Sequence, residues 1–430
     1  MDIVLSCGNR LRGTIHIPGD KSISHRGIIF GALARGTTRL GNFLMADDCI
    51  NTINIFRQMG IGIDIKDHST VIVQGKGLYG LSKPDNLLDA GNSGTTARLL
   101  MGLLAGQNFD STLTGDDSLR SRPMDRVIIP LRQMGAQIEG IKGSNFLPIT
   151  VSGKGATLKA MDYTMPVASA QVKSSIILAS LYAHKSSYIH QPAISRNHTE
   201  IMLGTFGGRI HTQGKTVTTF PGAMLYGQDL VIPGDISSAA YFITAALLVP
   251  DSEIVLKNVG INPTRSGILD VYRAMGASID VEEIHTGGQE PSANIIVKSS
   301  QLKGTVIEGS LIPRLIDELP IIALAATQAE GTTVIKDAAE LRVKESDRID
   351  STVAILKEFG ADAEATPDGM IIRGPAPLSG TGLRPGSDHR AVMMAAIAGL
   401  IAQGSTTIRD ANWVNISYPG FFAQIEALRC

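Results

Sequence analysis

The chain has 430 residues, with 39 Lys and Arg against 40 Asp and Glu, and is 43% hydrophobic and 18% charged. This is a soluble globular composition with room for two domains, and its near-neutral balance excludes any global attraction to nucleic acid or an acidic membrane. There is no apolar run of about 18 residues and no basic-then-apolar start, and Cys7, Cys49 and Cys430 lie far apart, so no membrane span, secretory signal or disulfide framework is expected. A cytoplasmic protein is expected, so the sequons at Asn197 and Asn415 are chance matches.

In chain order, Ile17-Pro18-Gly19-Asp20-Lys21-Ser22 leads into a small-residue helix that runs through Gly31-Ala32-Leu33-Ala34. A strand follows, then a more polar helix that ends in Phe56-Arg57-Gln58-Met59-Gly60-Ile61. Both phrases return. Small-residue helices recur at Gly102-Leu103-Leu104-Ala105, Ala179-Ser180-Leu181-Tyr182, Ala245-Ala246-Leu247-Leu248, Ala323-Leu324-Ala325-Ala326 and Ala395-Ala396-Ile397-Ala398. The helix-stop phrase recurs at Met134-Gly135, Phe206-Gly207, Met275-Gly276 and Phe359-Gly360. Glycine there takes the left-handed conformation that closes a helix at little cost. The spacing, roughly 70–85 residues, is too long for a solenoid of the usual kind.

The two halves start alike, since Ile232-Pro233-Gly234-Asp235-Ile236-Ser237 matches the stretch at Ile17. We therefore expect two domains of three units each, 18–233 and 1–17 plus 234–430, with crossovers near 18–19 and 233–234. The Ala/Gly-rich helices should pack closely inside each domain. The sixth copy lacks its closing glycine and strand, and the segment from Asp2 to Ile17 is expected to supply that strand.

Basic residues cluster just before the polar helices, at Arg120-Ser121-Arg122-Pro123, Ser195-Arg196-Asn197-His198, Asn262-Pro263-Thr264-Arg265 and Arg342-Val343-Lys344-Glu345-Ser346-Asp347-Arg348. A helix start already favours anions, so added Arg and Lys make phosphate and carboxylate sites there. One such loop is most simply solvated charge; its recurrence argues for function. Ala90-Gly91-Asn92-Ser93-Gly94-Thr95 reads as a glycine turn opening a helix, without the Lys of a Walker loop. Gly75-Lys76-Gly77-Leu78-Tyr79-Gly80 fits a dinucleotide fingerprint, but no helix pattern follows it.

Lys21-Ser22-Ile23-Ser24-His25-Arg26, Gly91-Asn92-Ser93-Gly94-Thr95, Arg122-Pro123, Arg342 to Arg348 and Asp388-His389-Arg390 stand in one order along the chain. This set resembles the 5-enolpyruvylshikimate-3-phosphate synthase family over nearly its whole length. Gly19 to Ser22, Ser169-Ala170-Gln171-Val172-Lys173, Arg196 to Glu200 and Asn262 to Arg265 resemble its class II branch. The resemblance implies an α/β (α+β) enolpyruvyl transferase fold, each domain three βαβαββ units with inward-packed helices. It implies carboxyvinyl transfer from phosphoenolpyruvate to 3-phosphoshikimate in the shikimate pathway to chorismate and the aromatic amino acids. It also implies a monomer without a cofactor and a glyphosate target; separately, the nine His and three Cys are scattered without ligand spacing, so no metal site is expected.

Carried over residue by residue, the resemblance gives phosphoshikimate to Lys21, Ser22, Arg26, Ser169, Ala170, Gln171, Arg196, Asp317 and Lys344. It gives phosphoenolpyruvate to Lys21, Asn92, Gly94, Arg122, Gln171, Arg348, His389 and Arg390. Asp317 would accept the 5-hydroxyl proton and Glu345 would protonate C3, with Lys21 completing the catalytic set. Glu345 then needs a raised pKa. The alternative reading of Asp317 is a helix cap, and His389 either contacts phosphoenolpyruvate or orients Arg390. The substrates together carry roughly −5 to −6 charges, so an open empty form that compacts on binding is expected.

Some relatives carry a Lys before the aromatic-Pro pair near the carboxyl terminus; Asn412 to Pro419 holds none. Glu340 stands where many have Asn, and Gly94 where some tolerant enzymes have Ala. The nearest rival is the sister enzyme acting on UDP-N-acetylglucosamine, which uses a loop Cys; Asp116 to Arg122 contains none. A non-catalytic anion-binding scaffold would have lost Asp317, Glu345 or a clamping Arg, and all are present.

Overall fold

A computed structural model describes residues 1–8, 10–153, 158–284 and 290–430. The chain divides into two compact units, Gly19–Ile232 and Met1–Pro18 with Pro233–Cys430. Each unit has its own hydrophobic core.

The repeated phrase is a βαβαββ unit. In Gly19–Ile232 the clearest copy runs through strand Leu88–Asp89, helix Gly94–Leu104, strand Ser111–Thr114, helix Asp125–Gln133 and strands Gln137–Gly140 and Ile149–Ser152. The first two strands pair in parallel, and the last two extend the sheet antiparallel. The other two four-stranded sheets of this unit follow the same plan. Its first sheet takes its parallel strand from the far end of the unit, where Asp229–Val231 lies beside Arg39–Gly41.

The glycine stops behave as the sequence demands. Gly60, Gly135, Gly207, Gly276 and Gly360 all have φ between 82° and 93°. Each follows a polar helix and precedes an edge strand. The small-residue helices lie inside: Leu319–Thr327 is buried along its whole length, and so is Lys21–Leu33 beyond Lys21. Close packing explains the small residues. A Cβ on Gly102 would stand 2.7 Å from the backbone carbonyl carbon of Ser175 on the neighbouring inner helix Ala170–Ser180.

In the unit of Met1–Pro18 and Pro233–Cys430, the amino-terminal segment is split between two sheets. Ile3–Ser6 runs antiparallel to Ser405–Ile408 and supplies the sixth repeat with a strand. Arg12–His16 does something the sequence reading missed: it pairs in parallel with Glu253–Lys257 in the fourth repeat. It fills there the place that Asp229–Val231 fills in the other unit. No helix among the described residues is long and apolar enough to cross a membrane.

Candidate active site

In Gly19–Ile232, Lys21, Ser22, Gly94, Ser169, Ala170 and Gln171 sit at the starts of the inner helices. Asp20 caps Lys21–Leu33 by accepting from the Ile23 amide at 2.9 Å, and Ser93 caps Gly94–Leu104 by accepting from Thr96 at 3.1 Å. Ser169 caps Ala170–Ser180. Such caps satisfy amides that would otherwise have no partner, and leave the first helical turns rigid.

Around these starts the side chains are linked. Lys21 Nζ lies 2.8 Å from Asp48, and Arg196 donates to the Ser22 hydroxyl. Arg122 donates to Asn92 Oδ1 at 2.8 Å and to Ser118 Oγ at 2.9 Å, while Asn92 donates to Asp116. Gln171 accepts from Arg98 at 2.9 Å and donates to Thr95. A Cβ on Gly94 would stand 2.7 Å from Arg98 Nη1 and 3.6 Å from Arg122 Nη1, so the missing side chain keeps open the ground beside two guanidinium groups. The structure thus brings Ser22 to Arg196, and Asn92 and Gly94 to Arg122. Arg98, one helical turn after Gly94, is an addition the sequence reading passed over; its signal was the Gly-x-x-x-Arg spacing.

Arg26 is buried and its three nitrogens are engaged. It donates to Thr199 Oγ1 at 2.6 Å, Ser174 Oγ at 2.8 Å and the Ser22 carbonyl at 2.9 Å. Behind Gly94, His25 Nδ1 meets Thr52 Oγ1 at 2.7 Å, and Thr52 meets Thr96 at the same distance. Burial, then Lys21 and Arg26, hold the His25 pKa well below its usual value, so it is neutral.

In the other unit, Asp317 is ringed by cations rather than serving as a helix cap. Arg348 approaches it at 3.3 Å, Lys344 at 3.6 Å, and Arg265 and Arg390 each at 3.9 Å. Arg390 also donates to the Asp317 carbonyl at 3.0 Å. Glu345 lies 2.6 Å from Arg348, which lies 2.8 Å from the buried Asp388. Asp388 caps the helix His389–Ile401 and leaves His389 buried in its first turn. Lys344, Arg348 and Arg390 are therefore gathered on the Asp317 carboxylate, with Glu345 on Arg348.

Three groups in this cluster have no individual role in the sequence reading, although Arg265 and Asp388 stand in its motifs. Arg265 donates to Ser237 Oγ at 2.5 Å and lies 3.9 Å from Glu318. Glu318 accepts from Ser237, and burial pushes its carboxyl up against the pull of Arg265 and Arg390. Burial resists ionisation of Asp388, yet Arg348 holds its carboxyl below the ordinary 3.8. The picture of bare cationic loops is thus modified in this unit, where the guanidinium groups already have carboxylate partners.

Residues 5–425 match the family described as EPSP synthase (3-phosphoshikimate 1-carboxyvinyltransferase). The chain belongs to the EPSP synthase family. It is 54% identical over 428 residues to a 3-phosphoshikimate 1-carboxyvinyltransferase of Thermoanaerobacter sp. strain X514, covering 100% of both chains. It is 54% identical over 420 residues to the one of Bacillus thuringiensis subsp. konkukian, covering 98% of this chain and 97% of the other. An EPSP synthase structure from Acinetobacter baumannii superposes with a TM-score of 0.90 at 42% identity, over 100% of this chain and 98% of that one. The enolpyruvyl transferase NikO of Streptomyces tendae shares the fold, with a TM-score of 0.80 at 18% identity over 99% and 97% of the chains. The mixed α/β repeat architecture is thus that of EPSP synthases and enolpyruvyl transferases. Among the described residues no group of His, Cys, Asp and Glu has the arrangement of a metal site.

Proposed function

We propose that this EPSP synthase family member transfers the carboxyvinyl group of phosphoenolpyruvate to the 5-hydroxyl of 3-phosphoshikimate, releasing phosphate. The observation that carries the reading is Asp317, a carboxylate held within 4 Å of Lys344, Arg348, Arg265 and Arg390, with Glu345 on the same Arg348. The cations so gathered can compensate charge that develops on the substrates.

In the proposed addition, the 5-hydroxyl gives its proton to Asp317 as its oxygen bonds to C2 of phosphoenolpyruvate. Glu345 delivers a proton to C3, which gives a tetrahedral intermediate. In the elimination, the C2–phosphate bond breaks and C3 returns a proton, which restores the vinyl group. Lys21, Asn92, Gly94, Gln171, Arg122, Arg348, His389 and Arg390 are assigned to phosphoenolpyruvate. Lys21, Ser22, Arg26, Ser169, Ala170, Gln171, Arg196, Asp317 and Lys344 are assigned to phosphoshikimate. Arginine suits such anions because its planar fork binds two oxygens at once. We place the protein in the cytoplasm as a monomer; no disulfide joins its described cysteines, and its mass in solution tests the monomer.

The test is phosphate release from phosphoenolpyruvate with 3-phosphoshikimate and, in parallel, with UDP-N-acetylglucosamine. Release is expected only with the first. Asp317→Asn and Glu345→Gln should each lower kcat about 10²-fold or more, the scale of general acid–base catalysis. Near-normal turnover in both variants removes these two residues from the reaction.

A further inference from the structure

Outside the residues assigned to the substrates, Lys173 and Glu200 form an ion pair buried within the unit Gly19–Ile232. Lys173 Nζ lies 2.6 Å from Glu200 Oε1, and the two side chains are only 1% and 7% exposed. Lys173 also donates to the Ser195 carbonyl at 3.1 Å. It therefore holds the chain on both sides of Arg196: at Ser195 just before it, and at Glu200 in the first turn of the helix His198–Thr205.

The neighbours of the pair hold a second guanidinium. Ser174 follows Lys173 and Thr199 precedes Glu200; their hydroxyls are 2.6 Å apart, and both accept from Arg26. Arg26 reaches back to the Ser22 carbonyl, and Arg196 donates to the Ser22 hydroxyl. One buried pair thus stands at the centre of a network that sets Arg26, Arg196 and Ser22.

An ion pair at this depth is a poor stabiliser. Removing two charges from water is costly, and well-packed apolar residues in its place are often as stable or more so. Burial does pull the Lys173 pKa down, against the opposing pull of Glu200. Stability does not explain the pair, but fixed geometry does. Its strong, short contacts leave the loop at Arg196 one position relative to the helix that carries Gln171.

We infer that Lys173 and Glu200 are positioning residues that fix Arg196 and Arg26 for the phosphoshikimate half of the reaction. The inference rests on the assignment of those two arginines to phosphoshikimate under the proposed function. Neither Lys173 nor Glu200 needs to touch a substrate.

The test compares Lys173→Met, Glu200→Gln, the double variant K173M/E200M and, as a control on the assignment, Arg196→Ala. Steady-state kinetics are run with each substrate varied, alongside thermal unfolding. Lys173→Met should raise KM for 3-phosphoshikimate about tenfold or more, as misplaced binding groups do. Its KM for phosphoenolpyruvate should stay within about twofold, the pattern of lost uniform binding to one substrate only. Glu200→Gln should shift in the same sense. The double variant should regain Tm, because no charge is left buried alone, but it should keep the raised KM.

Four results would overturn the inference: an unchanged KM for 3-phosphoshikimate in the variants, equal rises for both substrates, a double variant whose KM recovers with its Tm, or one that does not fold. If Arg196→Ala leaves KM for 3-phosphoshikimate unmoved, the underlying assignment fails and the inference falls with it. If only Arg196→Ala moves it, the positioning role alone fails.

Discussion

At Arg348, one buried guanidinium meets three carboxylates: Asp388, Glu345 and Asp317. Burial works against its charge, but these neighbours raise its pKa above the ordinary value, so it is a permanent cation. Asp388 is the buried partner, and its carboxyl is held below the ordinary 3.8. A carboxyl whose folded pKa is depressed contributes stability above its unfolded pKa and loses it as pH falls through the folded value. Asp388→Asn should therefore cost about 3–5 kcal/mol at pH 7, the scale for breaking one side of a buried pair. The gap from the parent protein should narrow below pH 3.8. Urea unfolding at pH 7 and pH 3 measures this; a gap that is equal at both pH values would show that Asp388 acts only as a cap.

Among the elements, glycines of two kinds do different work. Gly135 has φ 91° with open space where a side chain would stand, so its role is conformational. Gly135→Ala should cost about 1–2 kcal/mol, the left-handed penalty for an L-residue. Gly102 sits within an inner helix against the Ser175 backbone, so its role is packing. Gly102→Ala should cost about 3 kcal/mol despite alanine's better helix propensity, because two backbones must separate. Thermal melts of the two variants test the ranking, and a less stable Gly135→Ala would reverse it.

The same contrast explains what the sequence could reveal. The glycine stops and small-residue helices carried the repeat because each is a local signal. Lys21, Arg122, Glu345 and Arg348 could be singled out as candidates because they stand in contiguous motifs, and Asp317 because the resemblance carries it over. The edge strands Leu88–Asp89 and Asp229–Val231 are too short for alternation to show, and their partners lie far along the chain. The partners of Arg265, Glu318 and Asp388 lie elsewhere along the chain, and Lys173 meets Glu200 across 27 residues of sequence. No periodicity points to such partners.

For the whole molecule, charge is the governing quantity. A chain with 39 basic and 40 acidic residues has no long-range pull on anions, so attraction must come from local clusters. Substrates bearing roughly −5 to −6 charges would replace internal partners such as Asp48 on Lys21 and Glu345 on Arg348. Small-angle scattering is expected to show a smaller radius of gyration with both substrates than with neither. An unchanged radius would separate substrate binding from compaction.

The borrowed strands have a consequence for how the chain is made. Gly19–Ile232 holds every strand of its three sheets, including the returning Asp229–Val231. It is complete as a unit once residue 232 has been synthesised. Ile3–Ser6 pairs with residues 405–408, and Arg12–His16 with residues 253–257. Domains tend to fold as units during synthesis, amino-terminal first. Here Arg12–His16 can pair only after residues 253–257 have been made, and Ile3–Ser6 only after residues 405–408, so both strands are synthesised well before their partners.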